Sequence, residues 1–489
     1  MKRIAALTAA LMLSACAVGP DYARPAPPGG ITAEATFAEA QRLSAVSAAQ
    51  LPEKWWQLYD DPAIDRLVAE ALTHNTDIRV AAANLQRARA LLSEARGRRL
   101  PSTDVAAQYT RQRTGSNQFG AQFGEGQQIP SFETDFFTLG LDVGYELDLF
   151  GGVSRAVEAA RGDVAAAAAQ VDAARVSVAG ETARAYAQAC SNASQLAVAR
   201  ETVKLQQQTL DLTRRLFEAG RGQQRDVERA DVLLQQTQAQ LPALEAERRA
   251  SLYALATLTG RPPAEIDATA NACARPPRVA QVIPVGDGRA LLARRPDVRQ
   301  AERQLAADTA RVGVATAALY PSIQLLGSVS LGSTQLNNLI DDDSFNFSLG
   351  PLISWSFPNQ TAARSRLRQA EAVAEGSLAS FDGVVLTALR EVEQALARYA
   401  GELDRNRSLQ RAERAAGEAA RLSRLRFDYG AESFLQLIDA ESERANARAA
   451  RAQSDAALAD AQVNLFKALG GGWENAPEVT RRETAAVER

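Results

Sequence analysis

The sequence predicts a mostly helical protein with a β-barrel part, in which each chain supplies four transmembrane strands and long coiled-coil helices. Three observations lead to this fold class. The same order of blocks occurs twice, segments inside each block alternate apolar and polar residues, and the long Ala-rich stretches carry apolar residues at 3,4 spacing. Strand pairs placed between long helices, in two tandem copies, are typical of a tube wall and not of a substrate pocket.

The two repeats are marked by short motifs at equivalent places. The first repeat is predicted over 62–260 and the second over 293–470. The matching motifs are Leu100-Pro101-Ser102, Gly220 and Gly260 in the first copy, and Tyr320-Pro321-Ser322, Gly430 and Gly470 in the second. The expected strands are 102–112, 136–150, 322–332 and 345–357, and the expected long helices are 153–218, 223–260, 359–428 and 432–469.

The N-terminus has the composition of a processing signal. Residues 1–15 combine a positive start with an apolar stretch and are predicted to be a signal peptide. The stretch that ends in Cys16 resembles a bacterial lipobox, in which Cys16 is lipidated, and Ala17 after it implies an outer-membrane destination. The alternative is an ordinary signal peptide with a chance cysteine. Residues 17–50 are Pro-, Gly- and Ala-rich and are expected to be extended, within a lipidated tether predicted over 16–61.

The strands give the sharpest local signal. From 137 to 149 every odd position is apolar and every even one is polar or Gly, so one face is apolar and the other polar. At ~13 residues, this segment is longer than the ~9–11 that a tilted strand needs to cross a bilayer. A soluble β-sandwich edge alternates in the same way, but little of this chain is left to cover its apolar face. Because four strands cannot close a membrane barrel, the chain is expected to oligomerise.

The helical stretches favour coiled-coil pairing, since their apolar residues repeat every 3.5 residues and Ala at the seam allows close approach. A plain four-helix bundle is the alternative. Pro242 is expected to bend the second long helix. No stretch after the signal peptide is expected to be apolar enough for a spanning helix, so a mature chain that crosses a membrane would use strands.

Composition argues against an enzyme and against a nucleic-acid partner. The net charge is −3 with no basic tail, and His74 is the single histidine, expected at an exposed helix end. The chain has no phosphate-binding loop, nucleophile elbow or metal-spaced Cys and His set. Cys190 and Cys273 are the remaining cysteines. In an oxidising compartment they are candidates for a disulfide, with two buried free thiols as the alternative.

Nearly the whole chain after Cys16 resembles the TolC-like outer-membrane efflux proteins, specifically the NodT-type lipoproteins. The resemblance rests on Cys16-Ala-Val-Gly-Pro-Asp-Tyr22, Trp55-Trp56, Tyr145-Glu-Leu-Asp-Leu-Phe-Gly151, Arg294-Arg-Pro-Asp-Val-Arg299 and Phe434-Leu-Gln-Leu-Ile-Asp-Ala440. It implies a homotrimer with a 12-stranded β-barrel in the outer membrane and a 12-helix α-barrel in the periplasm. It also implies an equatorial belt from 261–292 and from a flexible tail, 471–489.

The resemblance implies a passive exit duct that works with an inner-membrane RND-type pump and a periplasmic adaptor, without a cofactor beyond the lipid on Cys16. The position that matches the family's carboxylate gate at the periplasmic tip is Asp439, and Leu435 matches its apolar constriction. A merely solvated Asp439 is the alternative. The turns at Gly220 and Gly430 are the expected adaptor docking points.

A salt-bridged lock is also expected at the tip. Arg221, Arg225 and Arg229 share one helical face and are expected to pair with Asp428, Glu432 or Asp439 of neighbouring hairpins. The signs of these residues are rearranged relative to the family. Two other functions stay open at this point: an exit duct for type I protein secretion, and a structural coiled-coil lipoprotein without a channel.

Overall fold

The structure, a computed structural model, describes residues 17–28, 37–114 and 131–479. Two compact units are present. The strand unit comprises the chain up to Arg24, Gln86–Ala165 and Glu302–Ala379, and the helix unit comprises Pro25–Leu85, Ala166–Ala301 and Ser380–Arg489. The predicted signal peptide, Cys16, most of the first inter-strand loop and the last ten residues lie outside the described residues.

The strand unit contains a four-stranded antiparallel sheet whose order follows the chain. Its strands are β2 (Ser102–Thr114), β3 (Phe132–Leu147), β5 (Ser322–Ser333) and β6 (Phe345–Ser354). The predicted end of the second strand at 150 is wrong because Asp148 caps the next helix. Its two carboxylate oxygens accept hydrogen bonds from the backbone N–H groups of Val153 and Ser154 at 2.9 and 2.8 Å.

The strand register separates apolar from polar residues as the alternation predicts. One row across the sheet joins Val105, Leu141, Val329 and Phe347. The adjacent row joins Asp104, Asp142, Ser328 and Ser348, whose two serine hydroxyls lie 2.8 Å apart. Since neighbouring residues of a strand point to opposite faces, one face of the sheet is apolar and the other polar. The apolar face is solvent-exposed in the single chain.

The last strand is shorter than expected. β6 ends at Ser354, whereas the alternation predicts a strand to 357. Beyond this point, the indole N–H of Trp355 donates to the carbonyl oxygen of Leu319, and Trp355 stacks on Phe357 at a centroid distance of 4.6 Å. These contacts, and the proline at 358, turn the chain away from the ladder.

The helices run through most of the remaining chain. They are α1 (Pro62–His74), α2 (Thr76–Gly97), α3 (Gly152–Glu218), α4 (Gln224–Gln238), α5 (Leu241–Leu258), α6 (Ala268–Ala272), α7 (Gly288–Arg294), α8 (Pro296–Ala317), α9 (Thr361–Asp428) and α10 (Phe434–Leu469). The helix predicted over 223–260 is divided into α4 and α5. The division falls just before Pro242, which lies in the first turn of α5 and has no N–H to continue the helix across the break.

The core of the helix unit includes the segment that sequence analysis assigns to a tether. Trp55 is fully buried, and its ring stacks on Phe466 of α10 at a centroid distance of 4.8 Å. Phe37 and Leu51 are also buried in this core. The tether prediction is therefore wrong for residues 37–61, because their aromatic and aliphatic side chains provide apolar surface that folding buries.

The C-terminal prediction needs a similar correction. Residues 471–479 are packed and not flexible: the indole N–H of Trp473 donates to the carbonyl oxygen of Arg294 at 3.0 Å, and the guanidinium of Arg299 lies 4.3 Å from the centre of its ring. Gly472, at φ +102°, approaches Trp56 so closely that a side chain would not fit. The tail therefore completes the same core as Trp55.

The segment between the repeats is ordered by short contacts within the helix unit. β1 (Val46–Ser47) pairs in parallel with β4 (Ile283–Pro284). The side chain of Gln462 in α10 bonds both the N–H and the carbonyl oxygen of Val279 at 3.3 and 3.2 Å. The inter-repeat segment is thus fixed to a long helix by backbone-directed hydrogen bonds.

One helix corrects the expectation that no spanning-length apolar stretch follows the signal peptide. Among the described residues, Thr361–Asp428 contains an 18-residue window with mean hydropathy 1.3 and at most two charged residues. Only 17% of that window is buried within the chain. A single helix of this composition is weak evidence for a membrane span, since Ala-rich core and coiled-coil helices meet the same test.

Candidate functional site

The two helical hairpins of the helix unit end in turns with the same backbone. The φ angles of Gly220 and Gly430 are both +71°. In each turn the glycine N–H bonds the carbonyl three residues before it at 2.9 Å, and the next residue bonds the carbonyl five residues before it at 2.8 Å. These are Schellman caps, which need a left-handed residue and therefore favour glycine. A Cβ at either glycine would meet open space, so both turns are exposed.

The start of α10 places the two predicted gate residues on one exposed face. Ser433 caps the helix through a reciprocal pair of bonds with Gln436. Leu437 and Ile438 are buried, and Ile438 belongs to an apolar cluster with Val227, Ala230 and Leu234 of α4 and Leu210 of α3. This packing fixes the rotation of α10. Leu435 and Asp439, four residues apart, consequently share the exposed side of the helix.

The three predicted tip arginines are also exposed, but Arg221 lies in the turn before α4 begins at Gln224, so only Arg225 and Arg229 share a helical face. Arg225 lies near Gln223 and Asp226 of its own turn, with distances of 3.0 and 3.8 Å. Within the part of the chain that the structure describes, no acidic side chain forms an ion pair with Arg221 or Arg229. The three arginines therefore present their charges outward from the hairpin.

The single chain does not bring these arginines to the predicted acidic partners. Glu432 is instead held in its own turn, where Ser423 donates to it at 3.0 Å and Arg426 lies 3.5 Å away. Over residues 17–28, 37–114 and 131–479, neither Asp428 nor Asp439 has an ion-pair partner.

Sequence reasoning missed a set of ion pairs between the long helices, one of which joins the two hairpins. Arg448 of α10 lies 3.0 Å from Glu201 of α3 and 4.0 Å from Glu413 of α9. Arg424 of α9 bonds Glu441 of α10 at 2.8 Å. The neighbouring Arg448 guanidinium holds the pKa of the Glu201 carboxyl below its usual value. Sequence spacing does not predict these pairs, because their members come from different helices.

Cys190 of α3 and Cys273 at the end of α6 form a disulfide in the structure. Their Cα atoms are 5.1 Å apart and their separation in sequence is 83 residues. Cys190 is fully buried. The bond ties the inter-repeat segment to α3, on the side of the helix unit where Trp55 and Phe466 pack.

The described residues show few features of an enzyme active site. No group of three or more His, Cys, Asp or Glu side chains is arranged for a metal ion in those residues. His74 lies exposed in the last turn of α1. A cavity of about 600 Å³ is lined by residues of α3, α8, α9 and α10, and in it Arg295 bonds Asp297 and Glu391 at 2.7 and 2.8 Å. This arrangement is typical of a structural ion-pair network.

The chain has one four-stranded sheet with an exposed apolar face, and each of its two strand pairs is followed by a long helical hairpin. This combination is typical of channel-forming outer-membrane proteins. The chain belongs to the outer membrane efflux protein family, whose model matches residues 67–261 and 288–471. The family resemblance drawn from the sequence is therefore confirmed, and with it the outer-membrane location and the efflux role.

Individual relatives match over nearly the full length. Nodulation protein T of Rhizobium leguminosarum bv. viciae is 29% identical over 485 residues, which cover 99% of this chain and 96% of the relative. Outer membrane protein OprJ of Pseudomonas aeruginosa is 30% identical, with 96% of each chain covered. The solved structure of the outer-membrane channel OprN superposes with a TM-score of 0.85 at 35% identity, and the match covers 94% of this chain and 100% of that one.

Proposed function

We propose that three copies of the chain close one channel, with a 12-stranded barrel in the outer membrane and a 12-helix barrel in the periplasm. The observation that carries this proposal is the open four-stranded sheet with its exposed apolar face. The smallest membrane barrel has ~8 strands, and a backbone edge left unpaired in lipid costs several kcal/mol per group. β2 and β6 are the two edges of the sheet, so β6 of one copy would pair with β2 of the next.

The channel would conduct passively, with energy and cargo selection supplied elsewhere. Several relatives are named as outer membrane proteins of efflux pumps, including a solvent efflux pump of Pseudomonas putida. By this analogy we expect an inner-membrane RND-type transporter and a periplasmic adaptor. The exposed turns at Gly220 and Gly430 are the proposed docking points, because they reverse the chain at one end of each hairpin. We propose no catalytic activity and no cofactor.

The gate would lie at the same end. Leu435 and Asp439 share an exposed face of α10, so three copies would place an apolar ring and a carboxylate ring around one axis. Such a carboxylate ring favours cations and repels anions when narrow. Since Glu432 is already bonded to Arg426, Asp428 and Asp439 of neighbouring copies are the acceptors left for Arg221, Arg225 and Arg229. Exposed pairs of this kind are worth only ~0–1 kcal/mol each, which suits a tip that an adaptor must open.

Two further roles complete the proposal. Cys16 would carry the covalent lipid that anchors the N-terminus in the outer membrane. The segment 261–292, together with the packed residues 471–479, would form a belt around the helical barrel, with the disulfide between Cys190 and Cys273 holding it to α3.

Conductance in a planar lipid bilayer tests the gate. The double variant Arg225→Glu and Arg229→Glu replaces attraction by repulsion at the tip, and we expect a higher single-channel conductance than in the parent. Arg411→Glu changes an exposed charge of α9 away from the turns and should leave conductance unchanged. Unchanged conductance in the double variant would refute the lock. A purified chain that stays a soluble monomer without detergent and conducts no ions would refute the channel itself.

A further inference from the structure

The apolar face of the sheet contains a groove of about 460 Å³. At its centre is Gly327 of β5, which lies in register between Val143 of β3 and Leu349 of β6. The next row has Val329 in place of the glycine. Because Gly327 has no side chain, it leaves a gap in an otherwise continuous apolar surface. The groove walls include Leu141, Val143, Tyr145, Leu325, Val329 and Leu349.

The size and chemistry of the groove suit a hydrocarbon ligand. Binding pockets for small ligands commonly measure ~300–1,000 Å³ and are mostly apolar. No charged residue is among the residues that line this groove, and its polar side chains are two serines, so it offers no counter-charge to a charged headgroup. A single acyl chain fits both the volume and the absence of charge.

The N-terminal strap, residues 17–24, is fixed close to the helix-side end of this sheet. The N–H of Val18 donates to the carbonyl oxygen of Phe150 at 3.2 Å. Ala17 lies so close to Gly151 that a Cβ on this glycine would be 2.7 Å from the Ala17 Cβ. Phe150 and Gly151 lie three and four positions after the end of β3, which is one of the three strands that line the groove.

Buried charges hold the strap in this position. The Arg155 side chain is only 7% exposed and bonds Asp21 at 2.6 Å. The Glu302 carboxylate is only 4% exposed; it accepts a hydrogen bond from the Tyr22 hydroxyl at 2.9 Å and lies 3.6 Å from Arg24. Detaching the strap would leave Arg155 with only Glu158 and Glu302 with only Arg303, so each buried charge would lose part of its compensation, which is unfavourable. The position of Ala17 is therefore set by the fold.

Chain geometry places Cys16 within reach of the groove. Gly151, beside Ala17, is six positions after Tyr145 in the groove, so the two points are at most about 20 Å apart along the chain. One leaflet of the bilayer core is ~15 Å thick, and an acyl chain extends over that distance. A chain attached to the residue before Ala17 can thus start at the end of the sheet and run along the groove.

We infer that the groove around Gly327 is the seat of an acyl chain carried by Cys16. This inference rests on the proposed lipidation of Cys16. The seated chain fills the gap in the apolar face and holds the N-terminus against the barrel wall, so the anchor is part of the folded unit and not a free tether. The other occupant of the same chemistry is an acyl chain of a membrane lipid.

A photoreactive fatty acid tests the inference. Cells that express the full chain are fed a diazirine fatty acid, the protein is illuminated in isolated outer membranes, and cross-linked peptides are mapped. We expect cross-links from Cys16 to β3, β5 and β6 around Gly327. Leucine at position 327 displaces at least two methylene groups of the occupant, so Gly327→Leu should lower these cross-links about tenfold.

Gly350→Leu is the matched control. Gly350 belongs to the neighbouring row and points to the opposite face, and a Cβ there meets open space. A Cβ at Gly327 also has room, since its nearest contact is Leu349 at 3.4 Å. Replacing a strand glycine raises strand propensity, so both variants should fold. Gly350→Leu should keep the cross-links of the parent.

The outcomes separate this inference from the lipidation on which it rests. Absence of label on the protein would refute the lipidation, and the inference with it. Label on Cys16 with cross-links spread over the apolar face, or unchanged in Gly327→Leu, would refute only the groove. The third outcome concerns a labelled phospholipid. If it cross-links to the groove as strongly in the parent as in Cys16→Ser, the groove belongs to a membrane lipid and the inference is overturned.

Discussion

Replacing Trp55 tests whether the segment before α1 is a structural part of the helix unit. The ring is fully buried, stacks on Phe466 at 4.8 Å, and meets Trp56 and Tyr59 edge-on at 5.7 and 6.4 Å. Trp→Ala at such a site typically costs about 3–5 kcal/mol, from lost burial and from the cavity left behind. The aromatic contacts add ~0.5–1.5 kcal/mol per pair. We expect Trp55→Ala to lower the midpoint of thermal unfolding by several degrees, measured by circular dichroism in detergent.

Trp55→Phe is the control that separates packing from hydrogen bonding. The indole N–H of Trp55 is buried and has no hydrogen-bond partner among the described residues. Removing an unsatisfied donor offsets part of the volume lost, because such a group costs ~1–3 kcal/mol. We therefore expect Trp55→Phe to melt much closer to the parent than Trp55→Ala does. If Trp55→Ala melts within about a degree of the parent, the segment is a dispensable tether and the packing argument is wrong.

Three further predictions follow from individual contacts. Cys190→Ser should destabilise the oxidised protein by about 4–5 kcal/mol on the chain-entropy estimate, because the disulfide closes a loop of 83 residues; reductant should have the same effect on the parent and none on the variant. Gly430→Ala should cost ~1–2 kcal/mol because of its positive φ, whereas Gly376→Ala inside α9 should be neutral or stabilising in the same melting assay. Burial and the hydrogen bond to Glu302 raise the pKa of Tyr22 to about 12. This contact therefore contributes stability below pH ~10 and loses it as pH rises through about 12, and the corresponding tyrosinate absorbance step should be missing in Tyr22→Phe.

The parts of the fold that depend on periodicity were open to prediction. Alternation in the strands and 3,4 spacing in the helices are properties of neighbouring residues, so the sequence shows them directly. The break before Pro242 belongs to the same group, since proline acts on its own helix. The start of β2 at Ser102 and of β5 at Ser322 agrees with the Pro-led motifs that precede them.

The features that sequence analysis missed depend on residues far apart in the chain. Trp55 lies in a Pro-rich segment without periodicity, and only the distant Phe466 shows that it is buried. Asp148 continues the alternation of β3 in the sequence, but its carboxylate accepts hydrogen bonds from backbone N–H groups of the next helix. Arg155 and Glu302 look like ordinary helix charges until the strap covers them. Local pattern cannot distinguish such residues from solvated ones.

The two helical hairpins have the same turn backbone but different exposed side chains near the proposed gate. Their turns have the same φ angle and the same hydrogen bonds, so the helices that follow start in the same orientation. At equivalent exposed positions, however, the first copy carries Arg225 and Arg229 where the second carries Leu435 and Asp439. The two hairpins thus keep one turn geometry but expose different chemistry on the helix that follows the turn. A ring built from both hairpins would alternate basic surfaces with apolar and acidic ones, and this alternation would let neighbouring hairpins attract each other when the tip is closed.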